Sequence, residues 1–167
     1  MKPGDHPAFF RFPAPEGRSR ESTLRLDREG RFWHDGELVE HPRLVEALHS
    51  WISRHPDDGR YILTNGYDWT YFSVEDAPFQ VRSVLLDSEK ILLRLSNGRE
   101  VEPLDLSVAE DGSLYARIKL DGQPYEARFS RHAQAQLDPV LEEHNGVVGI
   151  RAGSRFLVPA PRTTNPT

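Results

Sequence analysis

The dipeptides Asp35-Gly36, Asn65-Gly66, Asn97-Gly98, Asp111-Gly112 and Asp121-Gly122 punctuate the middle of the chain at short intervals. Asn, Asp and Gly tolerate the positive φ that a tight hairpin turn demands, so each dipeptide is a place where the backbone can reverse. Between them run short segments of alternating apolar and polar residues, the period of a strand with one face buried. The pattern predicts a mostly antiparallel β protein.

Helical periodicity is confined to two places. In HPRLVEALHSWISR, Pro42 suits the first helical position, and Leu44, Val45, Leu48, Trp51 and Ile52 form one apolar stripe. The spacing predicts a helix from Pro42 to about Arg54, with Trp51 in the core and His49 off the stripe. The second is SRHAQAQLDPVLEEHNG, with Ser130 as N-cap, Gly146 as terminator and a stripe of Ala133, Leu137, Val140 and Leu141. Pro139 kinks it or restarts it after Asp138.

The two helical regions sit in similar surroundings. A hairpin precedes each, and a strand opening with Arg-aromatic-aliphatic follows each, Arg60-Tyr61-Ile62 and Arg155-Phe156-Leu157. A hairpin with one helix buries its apolar face incompletely, so two such units are expected to share or abut their cores. The boundaries that follow are a flexible N-terminal tail over 1–20, one unit over 21–78, a second over 79–158, and a flexible C-terminal tail over 159–167. The tails are rich in Pro, Gly and polar residues.

Composition narrows the function classes. With no cysteine, a disulfide framework and thiolate zinc sites are excluded. A net charge of -5, with no long Lys/Arg cluster, offers nucleic acid no electrostatic footprint. No apolar run is long enough to span a bilayer or serve as a signal peptide, so a cytoplasmic location without membrane partners is expected.

The stretches GRFWHDGELVEHPRLVEALHSWI, DGRYILT and VEDAPF together resemble the bacterial domain-of-unknown-function family twelve eighty-five (DUF1285). The resemblance runs from about Leu24 to Val158 and is most specific in VEDAPF. It implies an α+β fold of two similar units, each a curved, mostly antiparallel sheet packed on one helix. A role in signalling or ligand sensing is implied, with no established activity. The chain departs from the family pattern at Thr64-Asn65-Gly66-Tyr67, where the family tends to have Thr-Pro-Val-Glu.

VEDAPF itself allows two readings. As punctuation, Pro78 ends a strand ladder, Asp76 accepts a backbone N–H in an Asx-type turn and Glu75 is a solvated strand end. As a site, alternation puts Phe72 and Val74 on the core face and Trp69, Tyr71 and Glu75 on the other. Trp69, Tyr71, Glu75 and Asp76 are then an aromatic and acidic ligand wall in a groove between the units. The same wall could equally be an inter-unit contact anchored by Trp69.

Catalytic patterns are absent from the sequence. Glu75 and Asp76 are adjacent on an extended chain, so their carboxyls diverge rather than converge on a reacting bond. The seven histidines form no His-x-x-x-His pair, and neither a nucleophile elbow nor a Gly-rich phosphate cradle is present. The expectation is a non-catalytic ligand-binding or sensing module without cofactor or metal, whose partner is a small molecule or a protein. The alternatives are a small hydrolase-like enzyme with a carboxylate-based site in that groove, and a protein–protein adaptor.

Overall fold

In the computed structural model, which describes residues 1–163, Asp35 and Gly36 take φ of 50° and 79°, and Asp121 and Gly122 take 49° and 80°. Two consecutive left-handed residues make the two-residue hairpin turn whose twist matches its strands. At Asn97-Gly98 and Asp111-Gly112 only the glycine has positive φ. There Gly98 N–H donates to Leu95 O and Gly112 N–H to Ala109 O, giving longer hairpin loops that end in a left-handed glycine.

The chain divides into two compact units, Met1–Asp76 and the part from Ala77 onward. In the first, β1 (Arg25–Leu26), β2 (Phe32–His34) and β3 (Glu37–Leu38) lead into α1 (Pro42–Ser50). Then come β4 (Ile52–Arg54), β5 (Tyr61–Thr64), β6 (Trp69–Tyr71) and β7 (Ser73–Val74). One sheet runs β3-β2-β1-β7 and the other β4-β5-β6. β1 pairs antiparallel with β2, Leu26 opposite Phe32, and parallel with β7, Leu26 opposite Val74. Leu26, Phe32, Leu48, Ile62, Leu63 and Phe72 are buried and form the core.

The first helix is shorter than its periodicity predicts. It ends at Ser50, and Ile52 to Arg54 instead pair with β5, Ile52 opposite Leu63. A β-branched Ile with a waiting strand partner gains more from the ladder than from another helical turn. The buried face also differs: Leu48 and His49 point inward, Leu44 is 44 % exposed and Trp51 is half-buried rather than core. His49, expected off the stripe, is 1 % exposed and meets the Phe32 ring edge-on at 4.9 Å.

The first twenty residues, expected as a tail, make specific contacts. Pro3–Asp5 and Pro7–Arg11 form 3-10 turns, and Gly4 N–H donates to Gly66 O at 2.8 Å.

The second unit opens with β8 (Phe79–Leu86), β9 (Ile91–Leu95) and β10 (Glu100–Val101). It continues through β11 (Asp105–Val108), β12 (Leu114–Leu120) and β13 (Gln123–Phe129) into α2 (Arg131–Ala135). β14 (Leu141–His144), β15 (Val147–Ala152), β16 (Arg155–Leu157) and β17 (Ala160–Pro161) complete it. Among the described residues the large sheet runs β10-β9-β8-β13-β12-β11-β17 and a small one β14-β15-β16. β13 pairs parallel with β8, and β11 parallel with β17. Phe79, Val81, Leu93, Leu95, Ile118 and Ala127 fill the interior. In β8 the register shifts between Val81 and Ser83, and the Val84 N–H donates instead to the Gln136 side chain at 2.7 Å.

The second helix also falls short of prediction. Ser130 caps it as expected, its hydroxyl accepting the Ala133 N–H at 3.1 Å, but it ends at Ala135. A 3-10 turn follows over Asp138–Val140. Leu141 onward is a strand, because Asn145 and Gly146, with φ of 54° and 82°, form a hairpin turn rather than a helix terminus. Of the expected C-terminal tail, Ala160–Pro161 pairs with β11 and Arg162 binds Glu126; residues 164–167 lie outside the described residues. The fold is thus α+β in the broad sense, mostly antiparallel β with two short α-helices among the described residues. Among the described residues no helix is long and apolar enough to cross a membrane.

Candidate functional site

In the second unit, chain-breaking at Pro139 shapes a cavity. The 3-10 turn sends the chain from α2 directly into β14, with Leu137 buried behind it. Leu141 lies opposite Ile150 in the β14–β15 ladder, so Leu141, Val148 and Ile150 share one face of that hairpin. That face, Leu137, Val108 of β11, Leu114 of β12 and Pro159 line a cavity of about 360 Å³. This size lies at the lower end of the range, roughly 300–1,000 Å³, that holds small ligands. The polar lining residues are Gln134 and Asp138. Gln134 is oriented by its own amide, which donates to Gly112 O at 3.1 Å. Asp138 is the single carboxylate among the described lining residues, and it is solvent-exposed. Leu141 and Val148 are 46 % and 54 % exposed, so the mouth is apolar and open to water.

The opposite face of the same hairpin is charged. Arg151 Nε donates to Glu142 at 2.9 Å and His144 Nε2 lies 3.0 Å from the same carboxylate. The hydrogen bonds from Arg151 and then His144 hold the Glu142 carboxyl below the usual carboxylate range. The Phe156 ring crosses directly over Gly149, where a Cβ would stand 2.6 Å from the ring. This two-faced hairpin presents its aliphatic side to the cavity.

In the first unit a separate cluster forms around Trp69. Trp69 and Tyr71 stand two residues apart on one face of β6, so their rings meet edge-on at 5.0 Å, and the His55 ring lies 5.0 Å from Trp69 and 5.7 Å from Tyr71. His55 Nε2 lies 3.0 Å from Phe10 O, which can only accept, and Nδ1 accepts the Asp57 N–H at 3.1 Å. This fixes the Nε2–H tautomer and engages both ring nitrogens with backbone. Tyr71 donates to Asp58 at 2.7 Å. Burial and then the Asp58 hydrogen bond push the Tyr71 phenol up. Burial alone would raise the Asp58 carboxyl, but the Tyr71 and Arg60 hydrogen bonds outweigh it and hold it down. The Arg60 guanidinium covers the Tyr71 ring at 3.7 Å and pairs with Glu21 through two 2.9 Å hydrogen bonds. Both ring nitrogens of His55 and the Tyr71 hydroxyl are thus hydrogen-bonded within the first unit.

The sequence-predicted site residues separate in space. Trp69 and Tyr71 come together in the β4-β5-β6 sheet. Glu75 follows β7 of the other sheet, where it pairs with Arg25, and Asp76 lies 3.9 Å from Arg28. Trp69, placed by alternation on the face away from the core, is 6 % exposed, so both faces of this segment are covered. Among the described residues no group of three His, Asp or Glu is placed to hold a metal ion. The cavity residues were missed from sequence because α2, the β14–β15 hairpin and the β11–β12 pair meet only through tertiary packing. The one legible signal was Asn145-Gly146, a further turn dipeptide.

The fold is that of two solved proteins. One is a DUF1285 family protein from Silicibacter pomeroyi DSS-3, with a TM-score of 0.69 and 17% identity over 91% of this chain and 92% of that one. The other is a DUF1285 family protein from Shewanella baltica OS155, with a TM-score of 0.50 and 17% identity over 68% of this chain and 87% of that one. No family model and no curated protein matches the sequence. The resemblance carried by VEDAPF and the structural likeness point to the same family.

Proposed function

We propose that this chain, built on the fold of the DUF1285 family proteins, is a non-catalytic binding module. Its ligand site is the cavity in the second unit. The observation that carries this reading is the lining: aliphatic walls, one oriented amide at Gln134 and one carboxylate at Asp138, in about 360 Å³. Such a site suits a small, largely aliphatic molecule with a cationic or hydrogen-bond-donating head. A hydrolytic site needs two titratable groups converging on one bond, and this lining holds one. In a signalling role, occupancy of the cavity is the signal.

The two units are read as versions of one plan. In each, three consecutive antiparallel strands enter a short helix, a second three-stranded sheet follows, and a last strand returns parallel to the first: β7 beside β1, β17 beside β11. The β8–β10 segment is then an addition to the second unit, where it extends the large sheet.

A thermal-shift titration tests the ligand site, with n-octylamine and octanoate as probes of equal chain length. The expected result is a saturable rise in melting temperature with the amine, a weaker response to the acid, and loss of the amine response in Val148→Arg, whose own melting is unchanged. No saturable response to the amine, or an undiminished one in Val148→Arg, overturns the assignment. Response to neither probe together with a partner peptide bound at Leu141 and Val148 would indicate an adaptor.

A further inference from the structure

Residues 2–11 lie along the first unit, and none of them is buried. They are held at separable points. Gly4 N–H donates to Gly66 O, where the backbones approach so closely that a Cβ on Gly4 would stand 2.9 Å from Gly66 Cα. Phe10 accepts from His55 through its carbonyl and sets its ring 6.1 Å from both His55 and Trp69. Arg11 reaches Asp57 with Nη2 at 2.9 Å and Nε at 3.1 Å. Beneath this segment His55 and Trp69 are each 6 % exposed.

The fit is incomplete. The Trp69 indole N–H is buried and meets no acceptor among the described residues. An unmade hydrogen bond of this kind leaves the desolvation cost of the group standing. A different chain that brought a carbonyl to Trp69 while keeping the aromatic and arginine contacts would therefore bind better than residues 2–11 do.

We propose that the surface formed by His55, Trp69 and Tyr71, with Asp57 at its rim, is a peptide-docking site. Residues 2–11 hold it closed in cis. The partner is a peptide segment with an aromatic residue followed by arginine, the chemistry of Phe10-Arg11. Its arginine pairs with Asp57, its aromatic ring packs against the His55–Trp69 pair as the Phe10 ring does, and a backbone carbonyl takes the Trp69 indole N–H. The Pro-rich stretch Phe12-Pro13-Ala14-Pro15, which forms no strand or helix, links the segment to β1 and permits its release. This proposal is independent of the cavity in the second unit.

The test uses the full chain and a fluorescein-labelled peptide with the sequence of residues 1–13, followed by fluorescence anisotropy. The Phe10→Ser/Arg11→Asp double variant weakens the cis segment and should bind the peptide at least about tenfold more tightly than the parent, as expected when a tethered competitor is removed. Adding Asp57→Arg should abolish that gain, and a scrambled peptide should not bind. A second arm inserts a protease site between Pro13 and Arg18 of the otherwise native chain. After cleavage, the labelled peptide should exchange into the site while the thermal melt stays cooperative. Equal binding by parent and double variant, or no exchange after cleavage, overturns the proposal. So does a stable dimer in light scattering whose formation requires Phe10, since a second copy would then be the occupant.

Discussion

The Trp33 indole N–H donates to the Asp27 carboxylate at 2.8 Å, across the turn that joins β1 to β2. Asp27 is nearly buried and also accepts from the Glu29 and Arg31 backbone N–H groups and from Arg31 Nε. One carboxylate thus ties the turn, the hairpin and a tryptophan together. Asp27→Ala should cost about 2–3 kcal/mol in urea unfolding, since several donors lose a charged acceptor at once. Trp33→Phe should cost about 1 kcal/mol.

The same group makes stability depend on pH. Burial alone would raise the Asp27 carboxyl, but the Trp33 and Arg31 hydrogen bonds outweigh it and hold it below the usual value. A carboxylate depressed in the folded state contributes stability that is fully present above its unfolded value, about 4. That stability is lost as pH falls through the lower folded value. The melting temperature of the parent should therefore fall below about pH 4 more steeply than that of Asp27→Asn, as differential scanning calorimetry across that range can show.

Two glycines at turns should respond differently to alanine. Gly122 has open space around it, so Gly122→Ala meets only the left-handed backbone cost of about 1–2 kcal/mol. Gly153 has φ of 61° and a Cβ there would stand 2.0 Å from Glu89 O, a backbone atom. Gly153→Ala adds a steric displacement of the β8–β9 turn and should cost more than about 3 kcal/mol by chemical denaturation.

Trp51→Ala separates the helix predicted from periodicity from the one observed. A tryptophan on a buried stripe would cost roughly 3–5 kcal/mol on truncation. Trp51 is half-buried at the end of α1, so the expected loss is about 1–2 kcal/mol. Leu48→Ala, on the buried face, should cost more than Trp51→Ala.

These cases mark what was legible in the sequence. Asp35-Gly36 and Asp121-Gly122 specified their hairpins because positive φ is a local demand that few residue types meet. Ser130 is readable as a cap because its hydroxyl answers another local demand, the free Ala133 N–H of the first helical turn. The extent of α1 was not, because Ile52 and Ser53 join β5, a partner whose position the local sequence does not encode. The apolar stripe and the Gly146 terminator predict helix through LEEHNG, while pairing with β15 makes Leu141–His144 a strand and Asn145-Gly146 its turn. Trp69 and Tyr71, which alternation places on one face, meet edge-on in β6. Glu75 was grouped with them by alternation, which fails where the chain passes from one sheet to another at Phe72. The cavity was invisible because its walls come from separate elements.

Glu75→Gln should change stability by less than about 1 kcal/mol, since its pair with Arg25 is exposed to solvent. It should also leave peptide binding to the Trp69 surface unchanged, because the Glu75 carboxylate is engaged by Arg25 beside β7 rather than in the His55 cluster. A loss of peptide affinity in this variant would return Glu75 to the ligand wall predicted from alternation.

The binding-module account is tested most directly by methyl NMR during titration with n-octylamine. The account predicts saturable shifts in the methyl resonances of Leu137, Leu141, Val148 and Ile150 that follow one affinity. Leu26 and Ile62 of the first unit should stay in place, and Asp138→Asn should weaken the binding by roughly tenfold, the scale of one charged hydrogen bond. Shifts centred elsewhere, or none up to the solubility of the amine, would contradict it.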